Sequence, residues 1–143
     1  MVKKNIVAEV LGEISKRDGV LKPKTVVDEA RSKDSPIHDL FDWDDSSAGE
    51  KYRLWQAREL IAYVTVEHNG KEVNAYYNVQ LETISQKGYY SKDQILSDKN
   101  MYKEVLRISI QEIEFWENKY KTIKELKKVL NRKELNRLKA LNT

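Results

Sequence analysis

Apolar positions near the start of the chain recur at helical spacing: Ile6, Val10 and Ile14 stand four apart, with Val7 and Leu11 beside them. The pattern predicts one broad-faced amphipathic helix over residues 2–17, ended by Asp18-Gly19. Val20-Leu21 is a very short extended piece. Pro23 suits a first helical turn, and a short second helix runs through Thr25-Val-Val-Asp-Glu-Ala-Arg31. Ser35-Pro36 opens a single helical turn through Ile37, His38, Leu40 and Phe41, with Ser35 as its cap. Ser47-Ala-Gly-Glu50 has the spacing of a capping box, in which serine oxygen and glutamate satisfy each other's free backbone N–H groups. The third helix behind it extends to about Ile61, and its core-facing set reads as Ala48, Tyr52, Leu54, Trp55, Ala57, Leu60 and Ile61.

The sharpest local pattern follows. Tyr63-Val-Thr-Val-Glu-His68 and Lys71-Glu-Val-Asn-Ala-Tyr-Tyr-Asn-Val79 flank Asn69-Gly70, the pair that supplies the two positive φ angles of a type I′ hairpin turn. Counting back from the turn sets Val66 opposite Val73, Val64 opposite Ala75 and Ala62 opposite Tyr77 on an apolar face. The other face pairs Tyr63 with Tyr76, Thr65 with Asn74 and Glu67 with Glu72. Beyond Leu81, Gly88-Tyr-Tyr-Ser reads as a loop, and Ser91-Lys-Asp-Gln94 reads as the cap of a short helix. From about Lys99, Tyr102, Leu106, Ser109, Ile113, Trp116 and Tyr120 recur at alternating steps of four and three. Thr122-Ile-Lys-Glu125 is a second capping box, so a further helix starts there and carries Leu126, Val129, Leu130, Leu135, Leu138 and Leu141, with a break near Asn131.

Helix, short strand, helix, helix, hairpin is the order of a winged helix-turn-helix, whose third helix presents its outer face to DNA while the hairpin forms the wing. The expected fold is therefore α+β and mostly helical. A winged-helix-like domain covers 1–81, a connecting loop with a short helix covers 82–98, and a C-terminal αα-hairpin covers 99–143. The competing reading is a generic α+β domain in which helices simply cover a hairpin. The long connection from Ser32 to Ser46, with its own helical turn, departs from the winged-helix pattern.

Composition changes this picture chiefly by exclusion. At 143 residues one hydrophobic core is feasible. No stretch approaches the roughly 18 uncharged apolar residues that span a bilayer, and Glu9 and Glu13 interrupt the apolar start, so neither a membrane partner nor a signal peptide is expected. With no cysteine there is no disulfide, thiolate metal site or thiol nucleophile, and His38 and His68 alone cannot make a histidine cage. The formal charge of +3 hides strong segregation. Residues 26–50 hold Arg31 and Lys33 against eight acids, whereas residues 119–143 hold nine bases against Glu125 and Glu134.

Candidate chemistry follows from those patches. On the third helix, Arg53 and Gln56 have the donor and acceptor geometry to address guanine and adenine edges, and Lys51 and Arg58 can meet phosphates. Lys71 at the hairpin tip can reach flanking phosphates. Lys124, Lys127, Lys128 and Arg132 of the basic tail would add sequence-independent attraction, although a solvated helix face shows the same residues. Against this, Asp42, Asp44 and Asp45 stand where the third helix begins and repel phosphate. His38, Asp39 and these three aspartates could ligate a hard cation, but they lack the glycine and distant glutamate of an EF-hand loop. The simpler reading buries Phe41 and Trp43 and uses the aspartates as caps, so no metal or cofactor is expected. Without a nucleophile elbow, a companioned Ser-x-x-Lys or a glycine-rich phosphate loop, no catalytic residue is assigned and no enzyme is expected.

Ser35-Pro-Ile-His38, Phe41, Trp43-Asp-Asp45 and the following Tyr52-Arg53 and Gln56-Ala-Arg58 resemble a family of small phage and prophage proteins with a Ser-Pro-Leu-His-x-x-Phe-x-Trp-Asp-Asp core, Ile37 standing for the leucine. The likeness covers roughly 19–65. It implies phage origin and a cytoplasmic place in a bacterial host, and it supplies no catalytic residue. The leading expectation is thus a non-enzymatic protein that binds double-stranded DNA and forms a homodimer through its C-terminal helices. The alternative is an adaptor or inhibitor of a host protein, using the acidic segment 39–45 and exposed Tyr63 and Tyr76.

Overall fold

The computed structural model describes residues 3–45 and 48–123, together with 136, 137 and 140. Helix α1 (Lys4–Asp18) turns Val7, Leu11 and Ile14 into the core rather than the Ile6–Val10–Ile14 row. Ile6 and Val10 sit one step around the helix, half-buried over a groove toward Ser32–Pro36. Helix α2 (Pro23–Ala30) carries its proline at the first turn, where the missing N–H costs nothing. It buries Val26, Val27 and Ala30 completely. A 3-10 turn, His38–Leu40, interrupts the long connection to helix α3 (Gly49–Tyr63). The capping box assigned to Ser47 lies outside the described residues.

The hairpin forms as its turn dictates. Strands β1 (Thr65–His68) and β2 (Lys71–Asn74) pair Thr65 with Asn74, Val66 with Val73 and Glu67 with Glu72 around Asn69 and Gly70, both at positive φ. The expected second strand does not run unbroken to Val79. At Ala75 the chain bends: its N–H donates to the Val64 carbonyl at 3.2 Å, while its own carbonyl accepts from Lys92 N–H at 2.9 Å. Beyond it, strand β3 (Tyr76–Val79) abandons β1 and pairs with strand β4 (Gly88–Ser91), Tyr76 opposite Ser91 and Val79 opposite Gly88. The expected pairs Tyr63–Tyr76 and Ala62–Tyr77 are therefore replaced, because residues 62 and 63 still belong to α3.

β4 overturns the loop reading of Gly88-Tyr-Tyr-Ser. Its Tyr89 exchanges two backbone hydrogen bonds with Leu21, both 2.8 Å. Leu21 approaches so closely that a Cβ on Gly88 would lie 2.8 Å from Val20 Cγ2 and 3.1 Å from the Leu21 carbonyl oxygen. Helix α4 (Lys92–Ser97) follows with a reciprocal cap: Gln94 N–H donates to Ser91 Oγ at 3.2 Å and Ser91 N–H to Gln94 Oε1 at 2.8 Å. Helix α5 (Lys99–Lys119) is capped by Asp98, whose carboxylate accepts from the N–H groups of Asn100 and Met101, both 3.0 Å. It ends in a turn at 120–122. The helix expected after it, with its box at Thr122–Glu125, falls almost wholly outside the described residues.

Among the described residues the protein is thus α+β, with five α-helices and two small antiparallel sheets. None of those helices is long and apolar enough to cross a membrane. The chain divides into two compact units, Met1–Ile95 and Leu96–Thr143. The core of the first comprises Val7, Leu11, Leu21, Val26, Val27, Ile37 and Ile61 with their neighbours. Gly88→Ala should lower stability by about 1–3 kcal/mol, the usual cost of forcing a methyl into a filled interior, read as a lower urea midpoint at unchanged slope.

Candidate interaction surface

The connection between α2 and α3 is built from the motif residues themselves. Ile37 is fully buried and Phe41 nearly so. His38 donates its Nδ1–H to the Ala30 carbonyl at 2.7 Å and stacks on Trp43 with ring centroids 4.9 Å apart and planes 9° apart. Trp43 returns a bond from Nε1–H to the His38 carbonyl at 2.8 Å. His38 and Trp43 are thus spent on holding the connection in shape. Among the described residues no three histidine, aspartate or glutamate side chains converge to hold a metal ion.

Arg53 is the centre of this assembly. Only 4% exposed, its guanidinium donates to the carbonyls of Asp42 and Asp44 at 3.2 Å each, to Glu50 Oε2 at 3.2 Å and to Asp45 Oδ1 at 3.4 Å. It lies 5.3 Å from the Trp43 ring centroid, a stacking a planar guanidinium makes well. Arg31 is 5.8 Å from the same ring centroid and binds both oxygens of Glu50 at 2.9 and 2.8 Å. The Arg31 guanidinium, with help from Arg53, holds the Glu50 carboxyl below the usual glutamate range. A depressed carboxyl stabilises the fold above its unfolded pKa and loses that contribution as pH falls through the folded value. The α2–α3 tie is therefore intact at neutral pH and weakens on acidification.

This geometry corrects the outward placement of two candidate readers. Arg53 points inward, and Gln56 is half-buried, its Oε1 accepting from Asp42 N–H at 3.0 Å and its Nε2–H donating to the Leu40 carbonyl at 3.4 Å. The inward row of α3 is Gly49, Arg53, Ala57 and Ile61. With that phase the rings expected in the core emerge instead: Tyr52 is 46% and Trp55 51% exposed. They stack on each other at 5.7 Å with planes 14° apart. The signal was present in the sequence, since small or apolar residues recur every fourth position through Arg53, but an arginine in a core row invites the opposite phase.

Lys51 and Arg58 are exposed, seven residues apart along one line of α3. Tyr63 is exposed near its end, with Lys4 Nζ 5.2 Å from its ring centroid. Tyr76, expected outside, is half-buried against the core; burial pushes its phenol up, and its hydroxyl bonds Ser15. Lys71 is exposed at the hairpin tip, but Glu67 and Glu72 face each other beside it. A groove of about 460 Å³ between α1 and the 29–36 segment is lined by Glu9, Glu13, Glu29 and Asp34 around Ile6 and Val10. The unit Met1–Ile95 holds 14 basic and 16 acidic side chains. Lys124, Lys127, Lys128 and Arg132 lie outside the described residues. No family model matches the chain, and neither a curated protein nor a solved structure matches it.

Arg53→Ala should cost about 2–3 kcal/mol by stranding carbonyls that it now satisfies, whereas Lys51→Ala and Arg58→Ala should each stay within about 0.5 kcal/mol of the parent; chemical denaturation at pH 7 checks both. Glu50→Gln should flatten the loss of stability on acidification, measured as the difference in denaturation midpoint between neutral and mildly acidic buffer.

Proposed function

We propose that the protein is a non-enzymatic binding module that docks another protein on the outer face of α3. The observation that carries this reading is the stacked Tyr52–Trp55 pair, half exposed on a helix whose rotation is locked from beneath by Arg53. Preorganised aromatic rings give contact area at little entropic cost and dominate the centres of protein interfaces. The flanks have opposite charge. Lys51 and Arg58 lie along one side, and exposed Asp42, Asp44 and Asp45 lie along the side reached by Arg53 and Gln56. A partner offering an apolar patch with a rim of both signs fits that layout. The acidic segment is then the rim of the contact rather than its centre, and the phage resemblance makes a host or phage protein the natural partner.

Two variants test this in living cells. A photo-crosslinking amino acid at Trp55 should trap one discrete protein species, while the same group at exposed Glu82 should not. Equal labelling from the two positions would remove the reading. Adding Tyr52→Ala to the variant with the crosslinking residue at position 55 should abolish the capture and leave the denaturation midpoint near that of the crosslinking variant.

A second reading is duplex DNA binding by a winged-helix-like domain. It is supported by the order of elements and by the exposed line of Lys51 and Arg58, with Lys71 at the wing tip. Here Lys51→Glu with Arg58→Glu should weaken duplex binding by more than about tenfold at roughly 50 mM salt, with affinity falling steeply toward about 200 mM. Fluorescence anisotropy reads it, and absence of binding at the lower salt would discard it.

A further inference from the structure

We infer that the groove between α1 and the 29–36 segment receives a basic amphipathic helix of a partner protein. Its floor comes from α1, which buries Val7, Leu11 and Ile14 and leaves Ile6 and Val10 half-buried in the groove, with Pro36 on the other wall. On the helical wheel, Glu9 and Glu13 stand further round α1 from its buried row than Ile6 and Val10, so carboxylates edge that side. The opposite wall is the end of α2 and the turn after it, with Glu29 and Asp34. That wall is already held in shape. Ser32 Oγ accepts from Asp34 N–H at 3.2 Å, Ser35 Oγ from Ile37 N–H at 3.3 Å, and the Ser32 carbonyl from Ser35 N–H at 3.0 Å. Arg17, at the end of α1, joins the two walls by binding Glu29. A groove set in advance asks little further ordering when it is filled.

Charge names the occupant. Arg17, Arg31 and Arg53 each bind carboxylates of this chain. The carboxylates of Glu9, Glu13 and Asp34, in contrast, make no hydrogen bond or ion pair among the described residues, and exposed Lys33 on the same turn pairs with none of them. Glu9 and Glu13 are one turn apart, a spacing at which like charges destabilise a helix. Cations brought by a partner relieve that repulsion, while aliphatic side chains between them cover Ile6 and Val10. A helix with lysines or arginines one turn apart on either side of an apolar ridge supplies both. A nucleic acid or an acidic segment is repelled by the same carboxylates.

Fluorescence anisotropy with the full chain uses a labelled synthetic helix that carries leucines on one face and lysines along both flanks, and a second in which glutamate replaces every lysine. The lysine peptide should bind the parent, and the glutamate peptide should not. Glu9→Lys with Glu13→Lys should weaken binding at least about tenfold. Glu67→Lys with Glu82→Lys, an equal charge change at exposed positions outside the groove, should alter it by less than about twofold. Ile6→Ser should weaken it several-fold, since it removes part of the floor and no charge. Denaturation midpoints of the variants separate lost binding from lost fold. No binding of the lysine peptide, equal binding of the glutamate peptide, equal weakening by the two reversals, or full binding by Ile6→Ser would each overturn the proposal. A dimeric parent that Glu9→Lys with Glu13→Lys turns into a monomer, read by light scattering, would overturn it in favour of a second copy of this chain.

Discussion

A guanidinium withdrawn from water must find acceptors in every direction in which it donates, and Arg53 finds most of its own in the loop that leads into α3. Two backbone carbonyls, two carboxylates and the face of an indole surround it. The carbonyls are what tie Asp42–Asp44 to α3, and the carboxylates are held mostly at the surface. This arrangement differs from a buried ion pair, because only one partner, Arg53, is desolvated, and its bonds to the backbone do part of the compensating. Once Arg53 points inward, the rotation of α3 is settled. Ala57 and Ile61 follow it into the core, and Tyr52 and Trp55 must emerge on the far side.

The acidic knot has a corresponding explanation. Eight acids in residues 26–50 look like a surface for a cation or a basic partner, yet several are tied to arginines of the same chain. Arg31 serves Asp28 and Glu50, and Arg53 serves Glu50 and Asp45. Trp43 lies near both guanidiniums and His38, so the motif residues act as a joint between helices. What remains for recognition is the outer face of α3 with its rings, and the charge that borders them.

The second organising feature is the change of strand partner at Ala75. Two-stranded sheets are marginal by themselves, and here each is supported by continuity with the other: one stretch of chain pairs first with β1 and then with β4. The Leu21–Tyr89 bridge ties β4 to the segment between α1 and α2, so the sheets and the helices of the first unit are cross-linked by backbone hydrogen bonds as well as by side-chain packing.

Local physics was legible in the residues alone. Periodicity located α1, α2, α3 and α5; Pro23 and Asn69-Gly70 marked a helix start and a turn; and the hairpin register followed from the turn by counting. These depend on bonds between near neighbours, which a short window of sequence specifies. The tertiary structure alone decided which side of α3 faces inward, that Gly88–Ser91 is a strand, and that Ile6 and Val10 yield the core to Val7 and Leu11. Each of those outcomes turns on a contact between residues far apart in the chain, such as Arg53 with Asp42 or Tyr89 with Leu21. Hydrophobicity ranks Trp55 above Arg53 for burial, but satisfied hydrogen bonds reverse the order, and only the fold can supply the acceptors.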